Sequence, residues 1–253
     1  MKQLLIFIVT LISVMSAWSQ GEILFEEGNK LYNEGKFAEA IEKYEAILAS
    51  NEHSAAVYFN LANAHYKLNN IAPSIYYYEK AVALDPNDRE IKNNLAFAQN
   101  MTVDAIGSVP EVGFSRIYKN VVNSITYDAW AKIAVLSMLV FVLLFLFYHF
   151  SYATAKKRIA FVVSVISLLI SVSSVFMAFQ NYSLYNNDKP AIVFAQESKV
   201  KTEPNLRSEE AFRLHEGTKV QVLDTVKSWH KIKLADGTMG WIPSKDIKLI
   251  RKF

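Results

Sequence analysis

Two long apolar runs constrain this chain of 253 residues more than any other feature. They cover residues 133–150 and 159–179, and neither contains Asp, Glu, Lys or Arg. Because a helix rises about 1.5 Å per residue, such runs reach about 27 and 31 Å, close to the roughly 30 Å of a hydrocarbon core. The sequence therefore predicts two transmembrane helices, residues 131–150 and 159–179.

The segment between the runs, residues 151–158, carries Lys156, Lys157 and Arg158 and no acidic residue. Short loops rich in Lys and Arg stay on the cytoplasmic side of a membrane. We therefore expect a basic cytoplasmic loop here. The residues on both sides of the hairpin then lie on its outer face.

The first 19 residues have the features of a secretory signal peptide. Lys2 is a short basic region, residues 4–14 are apolar, and Ala17 and Ser19 are small residues before an expected cleavage at Gln20. An uncleaved N-terminal anchor is the alternative, although the apolar segment is short for a span. Both readings export the residues that follow, in agreement with the hairpin.

Composition excludes some functions. The chain has no Cys, so it has neither disulfide bonds nor a thiol nucleophile. Residues 21–100 contain 12 acidic and 7 basic side chains, a net charge of −5, whereas residues 188–253 contain 9 and 13, a net charge of +4. An acidic first segment disfavours a nucleic-acid partner.

Residues 21–101 contain an internal repeat with a period of 34 residues. Five identical pairs share this spacing: Phe25 and Phe59, Asn29 and Asn63, Tyr32 and Tyr66, Ile41 and Ile75, Tyr44 and Tyr78. The period and the residue types resemble the tetratricopeptide repeat, in which each unit is a pair of amphipathic helices. Gly28 and Ala62 fall where the helices of a pair meet, and Gly35 and Asn69 fall at the turn between them. Residues 89–101 resemble the first helix of a third unit.

In tetratricopeptide repeats the first helices line a concave groove that binds peptides. By this resemblance, the peptide-binding groove of the chain would contain Phe25, Asn29, Tyr32, Phe59, Asn63, Tyr66 and Phe97. The alternative is that these Asn and Tyr residues are simply common in the repeat. Glu90 and Asn94 stand where the basic clamp of some family members would need Lys and Arg, so a carboxylate clamp is not expected.

Residues 102–130 are predicted to be a juxtamembrane segment with an amphipathic helix. Apolar residues recur there at helical spacing, with Arg116 and Lys119 beside them: Phe114, Ile117, Tyr118, Val121, Val122 and Ile125. Three roles are open: a helix on the bilayer surface, a cap on the repeat stack, or a linker helix.

Residues 190–253 have the pattern of short strands and turns. Residues 191–195 are a continuous apolar strand, residues 220–223 and 229–234 alternate, and Asp236-Gly237 is a hairpin turn. This order, with Gly240-Trp241-Ile242, resembles a bacterial SH3 domain in which residues 214–218 start the second strand. Trp229 and Trp241 are candidates for a ligand-binding surface, although such residues more often fill the core of a small barrel.

The fold class is therefore multidomain: all-α tetratricopeptide repeats, a two-helix transmembrane hairpin and a small all-β SH3-like barrel. Catalytic, cofactor-binding and metal-binding residues are not expected. The five His residues are dispersed without ligand spacing, and no phosphate loop or nucleophile motif occurs in a defined context. We interpret the chain as a non-enzyme.

The order of these modules resembles the BatE type of the Bat (aerotolerance) proteins. The resemblance implies an envelope complex with Bat proteins that carry von Willebrand A domains, and an indirect link to a MoxR-type ATPase. We expect a scaffold or adaptor for protein–protein interactions, held in a bacterial inner membrane by two spans with both soluble modules on the periplasmic side. The alternatives are a cell-wall sensor whose SH3-like domain binds peptidoglycan, and a regulatory subunit of a separate wall hydrolase.

Overall fold

The structure, a computed structural model, describes residues 20–107 and 113–250. The expected signal peptide, residues 1–19, lies outside the described residues. The chain divides into two compact units. One contains the described residues up to 107 together with those from 189 onwards, and the other contains residues 113–188.

The first unit begins with helical repeats. A helix, α1, is present over residues 20–33, and the next helices are α2 (Phe37–Ala49), α3 (Ala55–Lys67), α4 (Ile71–Leu84) and α5 (Arg89–Gln99). Helices α1 and α2 form one helix pair, α3 and α4 form the next, and α5 packs against α4 as the first helix of a third unit. This arrangement confirms the predicted helical repeats.

Small residues allow the helices of a pair to approach each other. A Cβ atom on Gly28 would lie 2.6 Å from Cε1 of Tyr44, so only glycine fits beside this ring. In the next pair the fully buried Ser74 donates its hydroxyl proton to the carbonyl oxygen of Ala62 at 3.1 Å. The turns between paired helices contain Gly35 at φ 79° and Asn69 at φ 59°, the residue types that tolerate left-handed backbone.

The second part of the first unit is an antiparallel sheet. Its strands are β1 (Pro190–Val193), β2 (Glu197–Lys201), β3 (Glu210–His215), β4 (Lys219–Val226), β5 (Trp229–Lys233), β6 (Met239–Pro243) and β7 (Ile247–Leu249). Among the described residues these strands are ordered β3-β2-β6-β5-β4-β1-β7, and a 3-10 turn at Ser244–Asp246 leads into β7. The architecture fits the predicted SH3-like fold.

The start of the second strand differs from the expectation. Residues 214–218 were expected to begin a strand, but Leu214 and His215 end β3 and the chain then turns. Gly217 has φ 85°, a left-handed backbone conformation that interrupts the extended chain, and β4 begins at Lys219. The sequence interpretation also missed β2 and identified no strand ending at His215.

Strand β1 is buried on both faces. Ala191 and Val193 belong to the core of the sheet, together with Val220 and Ile232. Because neighbouring side chains of a strand point to opposite faces, Ile192 instead packs into the core of the second helix pair. Ile250 and the partly buried Phe194 join it there. The repeats and the sheet therefore share one hydrophobic core.

Polar and aromatic contacts surround this shared core. The ring of Tyr76 on α4 meets that of Phe194 edge-on, with centroids 5.7 Å apart, and its hydroxyl donates to the Leu249 carbonyl at 3.4 Å. Lys219 pairs with Glu79 of α4 at 2.8 Å. These contacts join α4 to both β1 and its neighbours in the sheet.

Asp104, which follows α5, makes a second set of contacts with the sheet. Its carboxylate accepts hydrogen bonds from the backbone N–H of His215 at 2.7 Å and from the Thr218 hydroxyl at 2.6 Å, and it lies 2.8 Å from Nδ1 of His215. Burial alone would raise the pKa of Asp104, but these hydrogen bonds outweigh it and hold the pKa below its usual value. Asp104 therefore stays charged at neutral pH and fixes the turn after β3.

The second unit contains α6 (Phe114–Val122), α7 (Tyr127–Phe150) and α8 (Thr154–Asn187). Among the described residues, α7 and α8 are the helices long and apolar enough to cross a membrane. Most apolar side chains of both are accessible rather than buried, unlike those of a core helix in a soluble protein. Only residues 151–153 separate the helices, and Lys156, Lys157 and Arg158 lie in the first turns of α8.

Helix α8 packs on α7 along a row of serines. Four serines at spacings of three and four residues occupy one face of α8 and are buried: Ser164, Ser167, Ser171 and Ser174. Ser167 donates its hydroxyl proton to the carbonyl of Ser137 at 2.6 Å, and Ser171 donates to that of Ala134 at 2.8 Å. Small residues at such an interface let two apolar helices approach closely, and the hydroxyls add hydrogen bonds.

Candidate functional site

The candidate site is a cavity in the repeats of about 220 Å³. It lies among side chains of α1, α3 and α5, the first helices of successive repeats, with one contribution from α4. The residues that line it are Tyr32, Asn63, Tyr66, Lys67, Tyr78, Asn94 and Phe97. Aromatic rings, amide groups and one cation thus face a single opening.

The structure brings together four of the seven predicted groove residues, namely Tyr32, Asn63, Tyr66 and Phe97. Phe25 instead borders a separate pocket of about 500 Å³ with Ile47 and Val57. The other two predicted residues, Asn29 and Phe59, lie outside both cavities. The ring of Phe59 packs on that of Tyr78, with centroids 6.0 Å apart, and Asn29 takes part in a hydrogen-bond network.

This network occurs twice, once in each repeat. In the first repeat, Asn29 Oδ1 accepts hydrogen bonds from the Tyr44 hydroxyl at 2.7 Å and from the Asn60 amide at 2.7 Å. In the second, Asn63 Oδ1 accepts from the Tyr78 hydroxyl and, at 3.1 Å, from the Asn94 amide. Each amide links the helices of one pair to the first helix of the next unit.

Each network leaves some amide groups unused, and those of Asn63 and Asn94 line the cavity. Each accepting Asn oxygen already uses both lone pairs. Within the described part of the chain, no hydrogen bond uses the amide N–H groups of Asn29 and Asn63 or the side-chain oxygens of Asn60 and Asn94. Each network therefore offers an unused N–H donor and an unused oxygen acceptor, which are the two kinds of group that the backbone of an extended peptide pairs with.

The tyrosines of the network are neutral donors. Burial raises the pKa of Tyr44 to about 12 and raises that of Tyr78 further still. Burial also raises the pKa of Tyr32. The hydroxyl protons of Tyr44 and Tyr78 therefore persist at any physiological pH, and the orientation of the two Asn side chains does not depend on pH.

Contact area comes from aromatic side chains at the mouth of the cavity. Phe97 is 61% exposed, which is unusual for a phenylalanine, and Tyr66 is partly buried beside it. Lys67 supplies a positive charge at the same opening. One cation does not make a basic clamp. Asn94, which stands where such a clamp would need a basic residue, takes part in the amide network.

Sequence reasoning missed Asn60 as part of this network. The signal was present, because Asn60 and Asn94 are themselves identical residues 34 positions apart. Tyr44 and Tyr78 were noted as a repeat pair, but their hydrogen bonds to Asn29 and Asn63 required the helix packing. Lys67 was missed as well, because the repeat spacing gives no hint of it: the uncharged Asn33 stands at the corresponding position of the first repeat.

The two tryptophans of the sheet have different environments. Trp229 begins β5 and is only 7% exposed, so its ring fills the end of the sheet. Trp241 in β6 is partly buried and lies opposite Lys201 and Lys231 in the neighbouring strands. Of the two predicted surface residues, Trp241 therefore presents the more accessible side chain.

A helical repeat with a polar groove, joined to a small antiparallel sheet, defines a protein built from interaction modules. Comparison with protein families agrees: residues 25–89 match the tetratricopeptide repeat, and residues 198–248 match the bacterial SH3 domain. Both are typically non-catalytic binding modules. No curated protein sequence matches the chain.

Proposed function

We propose that this protein is a membrane-anchored scaffold that holds partner proteins at the periplasmic face of the inner membrane. The observation that carries the proposal is the cavity of the repeats, where the unused amide N–H groups of Asn63 and the unused side-chain oxygen of Asn94 stand beside the exposed ring of Phe97. This combination suits an extended peptide segment of a partner, with main-chain hydrogen bonds and one buried apolar side chain.

The proposed partners follow from the order of the modules. That order resembles BatE-like members of the Bat (aerotolerance) proteins, so the partners would be Bat proteins with von Willebrand A domains and, indirectly, a MoxR-type ATPase. The groove would receive a segment of one of the Bat proteins. The two spans would keep the scaffold in the same membrane as its partners.

The first test measures capture of partners by the full chain. A photo-cross-linking amino acid with a benzophenone side chain replaces Tyr32 in cells. After irradiation, the cross-linked proteins are identified by mass spectrometry. We expect a von Willebrand A protein in the adducts. Phe97→Ala should reduce that adduct about tenfold, because removing an exposed aromatic anchor typically costs about 1–2 kcal/mol of binding free energy.

Leu84→Ala is the matched control, because Leu84 is also an exposed apolar residue of the repeats but lies outside the cavity. It should leave the adduct unchanged. An adduct that survives Phe97→Ala at full intensity, or adducts without any von Willebrand A protein, would refute this assignment.

The proposed location rests on the expected signal peptide and on the basic connection of the hairpin. A fusion of alkaline phosphatase after residue 253 should be active, and a fusion after residue 158 should be inactive, because the enzyme folds only outside the cytoplasm. The reverse pattern would place both modules in the cytoplasm.

The second candidate function is a cell-wall sensor, or a regulator of a separate wall hydrolase. The match to the bacterial SH3 domain and the partly exposed side chain of Trp241 favour it. Purified full-length chain in detergent micelles is mixed with peptidoglycan sacculi and centrifuged. Co-sedimentation that Trp241→Ala abolishes and Phe97→Ala leaves intact would support the sensor over the scaffold.

A further inference from the structure

Helix α6 carries an apolar face that the described chain leaves uncovered. Phe114, Ile117 and Val121 are 81%, 62% and 43% exposed. At about 100° per residue these positions fall within one third of the helix circumference, so they form a single stripe. Exposing three large apolar side chains in one stripe to water is unfavourable.

The end of α6 is fixed to both long helices. Val122 is fully buried, and its carbonyl accepts hydrogen bonds from Trp130 Nε1–H at 3.1 Å and from the Asn181 amide at 2.9 Å. The same Asn181 amide donates to Asn123 Oδ1 at 3.1 Å. Trp130 belongs to the start of α7 and Asn181 to the last part of α8, so α6 ends where these two helices meet.

Trp130 and Asn181, which donate hydrogen bonds to the end of α6, define the depth of α6 relative to the apolar runs. Trp130 stands just before the run that begins at Ile133, and Asn181 stands just after the run that ends at Phe179. Rings of Tyr127 and Tyr182 meet edge-on at this same end, with centroids 5.5 Å apart. Trp and Tyr are enriched where hydrocarbon gives way to headgroups.

The opposite face of α6 is polar and positively charged. Ser115, Arg116 and Lys119 occupy it, Asn120 lies at its border, and residues 113–124 contain no Asp or Glu. Long basic side chains can keep their charge among headgroups while their stems cover apolar surface. A helix with one apolar and one basic face has the features of a helix that lies in the plane of a membrane surface.

We propose that α6 lies in the interface of the membrane that α7 and α8 span, with Phe114, Ile117 and Val121 among the outer ends of the acyl chains and Arg116 and Lys119 against anionic phospholipid headgroups. The apolar stripe then continues the lipid-facing surface of α7 and α8. This inference rests on the proposed membrane anchoring of the hairpin. It adds a lipid-binding surface beside the two protein-binding modules.

The test uses site-directed spin labels, which the absence of Cys from the chain makes straightforward. Full-length Ile117→Cys and Val121→Cys variants report on the apolar stripe, and Ser115→Cys on the polar face and Asn120→Cys at its border are the matched controls in the same helix. Each labelled protein is reconstituted into vesicles of phosphatidylcholine with phosphatidylglycerol. Relaxation by lipid-soluble oxygen and by a water-soluble nickel complex is then compared.

We expect labels on the apolar stripe to favour oxygen over nickel by several-fold relative to labels on the polar face. Omitting phosphatidylglycerol should reduce this difference, because the basic face loses its anionic headgroups. Equal access of nickel to both faces would overturn the proposal, as would shielding of the stripe from both reagents, which would indicate a second copy or a protein partner. An unchanged difference without phosphatidylglycerol would overturn the role of the basic face.

A label at Leu143→Cys, in the middle of α7, separates this inference from the proposed anchoring. If Leu143 contacts lipid while Ile117 contacts water, the hairpin spans the bilayer and only the inference about α6 is wrong. If Leu143 is itself accessible to nickel, the membrane anchoring is wrong as well.

Discussion

At the scale of single residues, His65 is a buried imidazole with an unusual environment. It lies on α3, and its ring stacks on Tyr77 of α4 with centroids 5.5 Å apart. The Asn70 amide nitrogen lies 3.2 Å from Nδ1, whereas Nε2 has no hydrogen-bond partner among the described residues. Burial, with a smaller contribution from Lys248, lowers the pKa of His65 to about 4.

This environment predicts a stability of the repeats that depends on pH. In the unfolded chain the imidazole binds a proton as the pH falls below about 6.5, whereas in the folded chain it stays neutral down to about 4. The free energy of unfolding should therefore decrease as the pH falls from 6.5 towards 4, by up to about 3 kcal/mol. Hydrogen exchange of α3 and α4 in the full chain, corrected for intrinsic rates, should show protection about tenfold lower at pH 5.5 than at pH 7.

The variant His65→Gln should remove most of this difference, because Gln does not titrate. His53→Gln is the control, since His53 is an exposed imidazole of the same repeats, and it should keep the difference. Protection that does not change between the two pH values in the unmodified chain would contradict the assignment.

At this scale the sequence indicated which residues repeat but not what they contact. Asn29 and Asn63 could be identified by their spacing, and their peptide-binding role remains a prediction. Their hydrogen bonds to Tyr44 and Tyr78 depend on how closely two helices pack, which Gly28 and Ala62 control through their small size. The spacing of identical residues in the sequence shows which positions repeat, but it does not show which hydrogen bonds those residues form.

At the scale of elements, the row of serines determines how α8 meets α7. An apolar helix pair in lipid gains little from burying more apolar surface, so close packing and hydrogen bonds decide the association. The serines supply both, because their small side chains bring the backbones together and two hydroxyls reach carbonyls of α7. The apolar runs predicted the two helices, while this contact face became apparent only when the helices were paired.

Ser171→Leu should separate the two helices locally, because Ser171 is 3% exposed and its hydroxyl bonds to Ala134. Inserting a large side chain at a packed site typically costs about 1–3 kcal/mol. The measurement is disulfide formation between cysteines placed at Ser137 and Ser167, which the substitution should slow at least several-fold. Ser173→Leu is the matched control, since Ser173 is exposed on the same helix. Equal rates in both variants would show that the serine row does not set the packing.

Strands and helices differed in how well the sequence predicted them. The tetratricopeptide helices and the strands β1, β4 and β5 followed from periodicity and turn residues. The charged sequence of β2, Glu-Ser-Lys-Val-Lys, alternates only weakly, and it forms a strand because β3 and β6 pair with it. Such pairing is a long-range contact that a local pattern does not contain.

At the scale of the whole molecule, the repeats and the SH3-like sheet form one compact unit with a shared hydrophobic core. Strand β1 is the reason for this joining, because its successive residues are apolar instead of alternating between apolar and polar. A strand with this pattern is buried on both faces. The sequence therefore contained a sign of the contact, but it could not identify α4 as the surface that covers the second face.

Gly217 allows a test of this shared core. A Cβ atom at Gly217 would lie within about 3 Å of side chains of Thr102, Ile71 and Ile75, all from the repeat side. Gly217→Leu should therefore weaken hydrogen-exchange protection of α4 about tenfold or more, although α4 is remote in the sequence. Hydrogen exchange of the full chain measures this effect.

Gly237→Leu is the matched control for the backbone. Gly237 has φ 92°, close to the 85° of Gly217, so both substitutions introduce similar left-handed strain. A Cβ at Gly237 meets no heavy atom within 4 Å. If both variants leave α4 equally protected, the two modules do not stabilise each other.

The double burial of β1 has a consequence for how chains of this type can diversify. Ile192 must match the surface of α4, while Ala191 and Val193 must match the rest of the sheet. A recombination event that joined these repeats to the SH3-like sequence of another protein would leave a mismatched strand between two surfaces. Repeats and sheet are therefore expected to be inherited together, and substitutions on α4 should be followed by compensating changes in β1.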